Sequence, residues 1–314
     1  MSAHLVLASV GSTVGTPLVG GIVNGAVYGL VALGIVLLYK AGRIFNFAQA
    51  EFGTASAFVT VAFLQGIGPF PKVPAPLAVV AGLITGGLLG FLSERLIITR
   101  LFRAPRATVL VATAGIALFL ISLEAVLLGV STPHVFPRVG GQSHFALFGT
   151  LQSNDSYKFG YTEITMVATL LVVAGLAALF FRTRYGMAIL AVSQEPTAAG
   201  VVGINVRSIS ALTWVLAGVL GAVAGIVNAP FTGALTPGFM TLNGPLINGF
   251  IGAILGGITS FPGAFVGGLL VGVVSSYAGQ YMPAAVPGGA TVVVAALLLF
   301  TLLVRPTGLL GQEV

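Results

Sequence analysis

The feature that most constrains this chain is a series of long apolar runs separated by short polar segments. A membrane-spanning helix needs about 20 mostly apolar residues, and nine stretches approach or reach that length. The predicted spans lie at residues 18–39, 46–66, 75–98, 107–130, 163–181, 208–229, 246–260, 264–282 and 291–305. The predicted fold class is all-α, a polytopic membrane bundle of about nine spans, with eight and ten as the limits. Residues 1–314 are predicted to form a single transmembrane domain.

Composition excludes a water-soluble globule. Hydrophobic residues make up 57% of the chain and charged residues only 6%, whereas soluble domains carry about 25% charged residues. The absence of Cys excludes disulfides and thiolate metal sites. No basic region precedes the short apolar stretch at the N-terminus, so we expect the first span to act as an uncleaved insertion signal.

The basic residues predict the orientation in the membrane. With the N-terminus outside and nine spans, the outer segments hold only Lys72, Arg138 and Lys158. The inner segments then hold Lys40, Arg43, Arg95, Arg100, Arg103, Arg106, Arg182, Arg184, Arg207 and Arg305. This positive-inside bias places the C-terminus in the cytoplasm. It also explains the net positive charge without a nucleic-acid partner.

Three segments depart from simple spans. Residues 131–162 are predicted to form an outer loop, either a docking surface or a lid. Residues 182–207 form an inner segment with two short helices on either side of Pro196, and Glu195 is the predicted boundary because a residue before proline avoids helical geometry. The Gly-rich stretch 246–260 is short for a span and is expected to be broken or re-entrant, forming a tight pair with the span at 264–282.

Glycine spacing predicts close helix packing. Small residues recur near every fourth position at Gly82, Gly86, Gly90, Gly221, Gly225, Gly263, Gly267 and Gly272, and such spacing lets helix backbones approach. A faint echo links "VNGAVYG" (23–29) and "INGFIGA" (247–253). It is consistent with repeated halves containing broken helices, and equally with chance.

Missing motifs argue against catalysis. The sequence contains no GxxxxGK[ST] phosphate loop, no HExxH and no GxSxG. We therefore expect a chain that is not an enzyme and binds no metal, nucleotide or other cofactor itself. Buried charges are too few for an obvious proton or sodium relay. Glu124, near the outer end of its span, is predicted to be interfacial, with a substrate contact as the alternative.

The segment "NFAQAEFGTASAF" (46–58) places polar groups inside a predicted span. At about 100° per residue, one narrow stripe holds Asn46, Gln49, Gly53, Ser56 and Thr60. Such a stripe faces either a hydrated path or other helices. Glu51 falls on the opposite side, near the predicted inner surface, where an inner Arg or a helix N-terminus is expected to satisfy it.

These segments together resemble a known family. "GAVYGLVALGIVLLYKAGRIFNFAQAEF", "SERLIITRLFRAPRATVLVATAGIALFL", "GGITSFPGAFVGGLLVG" and "RPTGLLG" are similar, in this order and spacing, to Liv-type permease subunits of branched-chain amino acid ABC transporters, in the LivH branch. The segment "RTRYGMAILAVSQEPTAAGVVGINVRSISALTWVLAGVLGAVAG" resembles the coupling region and following span of that family. The resemblance covers residues 18–311, nearly the whole chain.

The resemblance implies an import permease of a bacterial cytoplasmic (inner) membrane. Its implied partners are two ATPase subunits that use ATP, a second homologous permease or a second copy of this chain, and an extracytoplasmic substrate-binding protein, with membrane lipid around it. Residues 182–207 then correspond to the ATPase-coupling segment. The implied coupling candidates are Glu195, Pro196, Gly203, Ile204 and Asn205.

The candidates for the translocation path are Asn24, Tyr28, Asn46, Gln49, Ser56 and Asn248. Two of them depart from the family pattern, since Gln49 and Ala50 replace a common His-Gly and Asn248 stands at a common Lys. The resemblance makes leucine, isoleucine and valine the default substrates. The departures at residues 49, 50 and 248 leave other amino acids, amides or urea open. The competing hypotheses are a passive channel or ion-coupled carrier for a small neutral solute, and a membrane scaffold without transport.

Overall fold

A computed structural model of the chain describes residues 3–101, 104–128, 136, 144–148, 157–180, 182–231, 235–242, 244–282, 288–305 and 307–311. Its helices are α1 (Ala3–Gly42), α2 (Gln49–Gln65), α3 (Ala75–Ser93), α4 (Arg106–Leu128), α5 (Tyr161–Phe180), α6 (Arg184–Gln194), α7 (Pro196–Val201), α8 (Val206–Asn228), α9 (Phe239–Leu242), α10 (Pro245–Gly256), α11 (Phe261–Tyr281) and α12 (Gly289–Val304). Each of the nine predicted spans coincides with one of these helices.

Within the described residues, five helices are long and apolar enough to cross a membrane. They are Pro17–Gly42, Ala75–Leu101, Arg106–Leu127, Val206–Phe231 and Phe261–Tyr281. Helix α3 is continued by a π-helical turn at Glu94–Ile98 and a 3-10 turn at Thr99–Leu101. The chain is therefore a multi-pass helical membrane protein, as its apolar runs predict.

The predicted outer loop contains a feature that the apolar pattern does not reveal. Strands β1 (His144–Phe148) and β2 (Tyr157–Gly160) form an antiparallel pair in which His144 lies opposite Gly160. The remainder of residues 131–160, apart from residue 136, lies outside the described residues, as do Arg103 and Arg138.

Two antiparallel helix pairs form the frame of the bundle. Helices α1 and α11 approach so closely that a side chain on Gly25 would collide with the backbone of Leu269. Helices α3 and α8 approach in the same way, with Gly86 against the carbonyl oxygen of Gly218. Glycine permits this approach because it has no Cβ, so the predicted role of the glycine repeats is confirmed.

The two shorter helices α2 and α10 occupy matching positions. Helix α2 packs between α3 and α8, with Gly53 against Gly225, while α10 packs between α11 and α1, with Gly252 against Gly268. Helices α2, α3 and α8 thus have the same mutual contacts as α10, α11 and α1, and each helix runs in the opposite direction to its counterpart along the bundle axis. Inverted repeats of this kind place paired broken helices at the centre of many transporters.

One end of the bundle gathers several chain segments. Lys40, in the last turn of α1, donates to the carbonyl oxygen of Thr259 at 2.9 Å, in the turn between α10 and α11. The C-terminal segment pairs with the end of α10 through the Leu309 amide and the Leu255 carbonyl oxygen at 2.8 Å. The tight pair predicted around residues 260–264 is present and is fixed by these contacts.

Candidate functional site

The segment that joins α1 to α2 enters the helix bundle. The Phe47 amide donates to the hydroxyl oxygen of Thr113 at 3.3 Å, and Thr113 lies about 10 Å along α4 from Arg106 at ~1.5 Å per residue. Asn46 precedes α2, where its Oδ1 accepts from the Ala48 amide at 3.0 Å. Helix α2 therefore begins inside the protein, three residues later than the polar stripe suggested.

Gln49, the first residue of α2, lies between two of the long helices. Its side-chain amide rests directly against Gly34 of α1, and its backbone carbonyl rests against Gly221 of α8. The side chain has no exposed surface. Among the described residues, neither Gln49 Oε1 and Nε2 nor Asn46 Nδ2 has a hydrogen-bond partner. Leaving a buried polar group unpaired costs about 1–3 kcal/mol, so these amides destabilise the observed packing.

The other residues of the stripe form a packing surface in this conformation. The Ser56 hydroxyl donates to the Phe52 carbonyl oxygen at 2.6 Å, and the Thr60 hydroxyl donates to the Ser56 carbonyl oxygen at 2.8 Å. Both side chains are buried against glycines of α3, with Ser56 facing Gly86 and Thr60 facing Gly82. Of the two alternatives for the stripe, its middle thus has the geometry of a helix-packing face.

A second polar group joins α1, α10 and α11. The Tyr28 hydroxyl hydrogen-bonds to Asn248 of α10 and to Ser275 of α11. Asn24, one turn before Tyr28, is exposed, whereas Tyr28 and Asn248 are half-buried. The structure brings the candidates Tyr28 and Asn248 together. Ser275 joins them, although no periodic pattern singled it out.

Aromatic rings also pack together in this region. The Phe250 ring of α10 packs edge-on against Phe45, with ring centroids 5.3 Å apart, and it also contacts Phe47 at 6.0 Å. Tyr39 stacks on Phe45 at 4.9 Å. These apolar rings therefore meet where α1, α10 and the segment before α2 come together.

Glu51 and Glu124 have partners that the sequence did not suggest. Glu51 is fully buried and its carboxyl group hydrogen-bonds to the hydroxyl of Thr241 in α9. Glu124 is only 5% exposed, and its Oε2 accepts from the Gly238 amide at 3.2 Å. The expectation that an inner Arg or a helix N-terminus satisfies Glu51 is wrong, because the segment around α9 folds back between α2 and α4 and supplies the Thr241 hydroxyl. The same segment supplies the partner of Glu124, whose interfacial position stays a prediction.

The segment 182–207 has the two short helices that Pro196 predicted. Glu195 is the extended boundary residue, and its carboxylate caps α7 by accepting from the Thr197 amide at 3.2 Å. Asn205 caps α8 by accepting from the Ser208 amide at 3.2 Å. Gly203 has a positive φ of 88°, a conformation that favours glycine.

The helices α6 and α7 share a small core of their own. Ile189, Val192, Ala199 and Ile209 are buried together, with Ile204 and Ala41 of α1 packed against them. The outer surface of this segment carries exposed apolar side chains at Tyr185, Met187, Val201 and Val202. A rigid, capped element with an apolar outer face is a suitable contact for another protein.

The described residues include no cluster of three or more His, Cys, Asp or Glu side chains suited to a metal ion.

Several neighbours of the site were not among the candidates predicted from the sequence: Phe45, Phe47, Thr113, Ser275 and Thr241. The aromatic residues beside Asn46 were visible as a motif, whereas the partners on α4, α9 and α11 depend on long-range packing.

Known proteins resemble the chain along nearly all of its length. The model of the family described as "Branched-chain amino acid transport system / permease component" matches residues 18–303. The high-affinity branched-chain amino acid transport system permease protein BraD of Pseudomonas aeruginosa is 33% identical over 311 residues, covering 94% of this chain and 95% of BraD. LivH of Escherichia coli is named as a permease protein of the same kind of system. It is 30% identical over 306 residues, which cover 93% of this chain and 94% of LivH.

A solved structure shares the fold. PsaBC from Streptococcus pneumoniae, determined in complex with Fab, matches with a TM-score of 0.50 at 15% sequence identity, over 96% of this chain and 97% of that chain. The path of the helices is thus similar across nearly the whole chain, although few residues are shared.

Proposed function

This chain belongs to the family of permease components of branched-chain amino acid transport systems, as its motifs predict, and we propose that it is the membrane-spanning permease subunit of an ABC importer for branched-chain or other small amino acids. The relatives are named as permeases rather than as enzymes. Separate ATPase subunits drive the transport, and an extracytoplasmic binding protein delivers the solute.

The observation that carries this proposal is the family match together with the form of residues 182–207. This segment stands at the end of the bundle that also gathers Lys40 and the α10–α11 turn, and it presents exposed apolar residues around α6 and α7. Its core includes Ala41 at the end of α1. A force applied by an ATPase subunit to α7 would therefore reach α1 and α8 through direct packing.

The orientation follows from charge. The end of the bundle with the coupling segment also carries Arg184, Arg207 and Arg305, so we propose that it faces the cytoplasm. The opposite end would then receive the binding protein, at residues 131–162 and 230–245. We assign the chain to the bacterial cytoplasmic membrane, in an assembly of two ATPase subunits and two permeases, the second being either a homologue or a second copy.

The proposed path lies between the two broken helices. Alternating access would separate α2 from α10, part the rings of Phe45, Phe47 and Phe250, and let water or solute reach the unpaired amides of Asn46 and Gln49. Tyr28 and Asn248, with Asn24 beside them, would line the other part of the path. The packed position of Ser56 makes it a candidate only for a conformation in which α2 and α3 move apart. This chain itself binds no cofactor, since the partner subunits use the ATP.

Co-purification tests the proposal. We expect the chain to bring down its ATPase subunits, and we expect the loaded binding protein to stimulate ATP hydrolysis in liposomes for branched-chain amino acids above amides and urea. The Pro196→Leu variant should bind ATPase subunits but lose the stimulation, because proline sets the first turn of α7. Full stimulation in that variant would refute the assigned coupling, and a chain that never associates with an ATPase would refute the importer itself.

A further inference from the structure

The two buried carboxyl groups of Glu51 and Glu124 have no role in the proposed path. They come from different helices, α2 and α4, and they are hydrogen-bonding neighbours of one another. Oε2 of Glu51 accepts a hydrogen bond from the Thr241 hydroxyl, and Oε2 of Glu124 accepts one from the Gly238 amide. The other oxygen of each group, Oε1, is buried and has no further hydrogen-bond donor among the described residues.

Among the described residues, no positive charge compensates the pair. The groups that face the two carboxyls are the hydroxyls of Thr54 and Thr241 and the backbone amide of Gly238, and no Lys, Arg or His of the described residues is an electrostatic neighbour of either. Two ionised carboxylates in hydrogen-bond contact repel each other strongly when buried. A hydrogen bond between two carboxyl groups also requires a hydrogen atom, which only a protonated carboxyl can supply.

The pair also holds the short helix α9 in place. Helix α9 has a single turn, and it is fixed by Thr241 to Glu51, by Gly238 to Glu124, and by the Met240 amide to the Thr54 hydroxyl at 3.4 Å. Helix α9 leads within three residues to α10, which carries Asn248. The seating of α9 on α2 and α4 therefore controls where α10 begins.

We propose that Glu51 and Glu124 form a single proton-binding site that fastens α9 to α2 and α4. One proton is shared between the two carboxyl groups while α9 is seated. When α9 leaves, water reaches both carboxyls, the proton passes to the solvent, and the two carboxylates repel; reseating α9 takes one proton back from the solvent. The proton is bound and released on opening and closing, and no net proton movement across the membrane is required.

This proposal is independent of the transported solute and of the ATPase partners, so the purified full-length chain in detergent micelles tests it. At pH values above the ordinary pKa range of carboxyl groups, the folded chain still holds one proton that the unfolded chain has released. The equilibrium constant for unfolding should consequently rise with pH, by up to about tenfold per pH unit between about pH 6 and pH 9 for one linked proton. The measurement is reversible unfolding by SDS, followed by circular dichroism at each pH.

Matched variants identify the groups. In Glu124→Gln the side-chain amide donates to Glu51 and its oxygen accepts from Gly238, so this variant should fold and show a weaker pH dependence than the unaltered chain, because the remaining carboxyl no longer faces a second one. Glu51→Gln should behave in the same way. The control is Glu94→Gln, which alters another buried carboxyl with a hydroxyl partner, Thr99 at 2.9 Å, but no second carboxyl beside it. This control should keep the slope of the unaltered chain.

Three outcomes would overturn the proposal. One is an unaltered chain whose unfolding does not depend on pH in this range, a result that needs no variant. Another is an undiminished slope in both Glu124→Gln and Glu51→Gln. The third is stabilisation by Na⁺ or K⁺ at constant ionic strength that disappears in these variants, because it would show that a metal cation rather than a proton bridges the carboxyls.

Discussion

Gln49 shows how one residue can make two helices depend on each other. Its unpaired amide fills the space that a side chain at position 34 of α1 would need, and its backbone rests on Gly221 of α8. A long polar side chain at this point is tolerated only because glycine stands opposite it. The amides of Gln49 and Asn46 would gain hydrogen bonds as soon as water entered, so their burial lowers the cost of opening the bundle.

The fit between Gly34 and Gln49 leads to a coupled pair of mutations. Gly34→Ala places a methyl group on the Gln49 amide and should destabilise the chain by about 1–3 kcal/mol, the usual range for overpacking. Gln49→Ala removes the obstacle, so the double variant should recover most of the loss. A double-mutant cycle from SDS-unfolding free energies measures this coupling.

The matched control for this cycle lies in α4. A side chain added at Gly115 meets no atom within 4 Å, so Gly115→Ala should leave stability unchanged or raise it by about 0.5–1 kcal/mol. Additive effects of Gly34→Ala and Gln49→Ala would contradict the contact between α1 and the start of α2.

The Tyr28 hydroxyl leads to a prediction about transport. Tyr28→Phe removes the group shared by Asn248 and Ser275 and should lower solute uptake about two- to tenfold, as expected for one hydrogen bond. Uptake by proteoliposomes that contain the complete transporter is the measurement. Tyr39→Phe is the control, because its ring remains stacked on Phe45; equal losses in both variants would argue against a specific role of Tyr28.

At the scale of elements, the proposed coupling segment, residues 182–207, is shaped by its caps and turns. Glu195, Pro196, Gly203 and Asn205 each fix a helix boundary, and Ile204 anchors the segment in the small core beneath α6 and α7. All five sequence-derived candidates therefore have a local structural role, which is what a lever needs in order to move as one rigid body.

Two glycines of this segment differ in whether their backbone conformation requires glycine. Gly203→Ala forces a side chain into a backbone conformation with φ of 88° and should cost about 1 kcal/mol locally, lowering the stimulation of ATP hydrolysis by the loaded binding protein. Gly200→Ala lies in open space within α7 and should preserve that stimulation. If both variants behaved alike, the left-handed turn at Gly203 would have no part in coupling.

The elements differ in how far the sequence could reveal them. The nine apolar runs and Pro196 predicted helices closely, because both signals are local. The start of α2 was misplaced because Asn46 continues the polar period of the helix while its side chain in fact closes a turn on Ala48. The contact between Glu51 and Glu124 could not be predicted, since it depends on residues 235–242 folding back into the bundle.

Across the bundle, two inverted helix triplets, α2–α3–α8 and α10–α11–α1, each contain one short helix that begins inside the protein. The echo between residues 23–29 and 247–253 pointed to repeated halves, but the packing relates α1 to α8 and α2 to α10. Such an arrangement allows the halves to rock about their glycine contacts and to open the centre first to one side and then to the other.

As proposed, this chain moves solute only as part of an ATP-driven assembly. Uptake of radiolabelled leucine can be compared between proteoliposomes that contain this permease alone and those that contain the permease with its ATPases, second permease and binding protein. We expect no flux above empty liposomes for the chain alone, and ATP-dependent accumulation against the gradient for the complete assembly. Rapid downhill flux through the chain alone would contradict it and would indicate a passive channel or carrier.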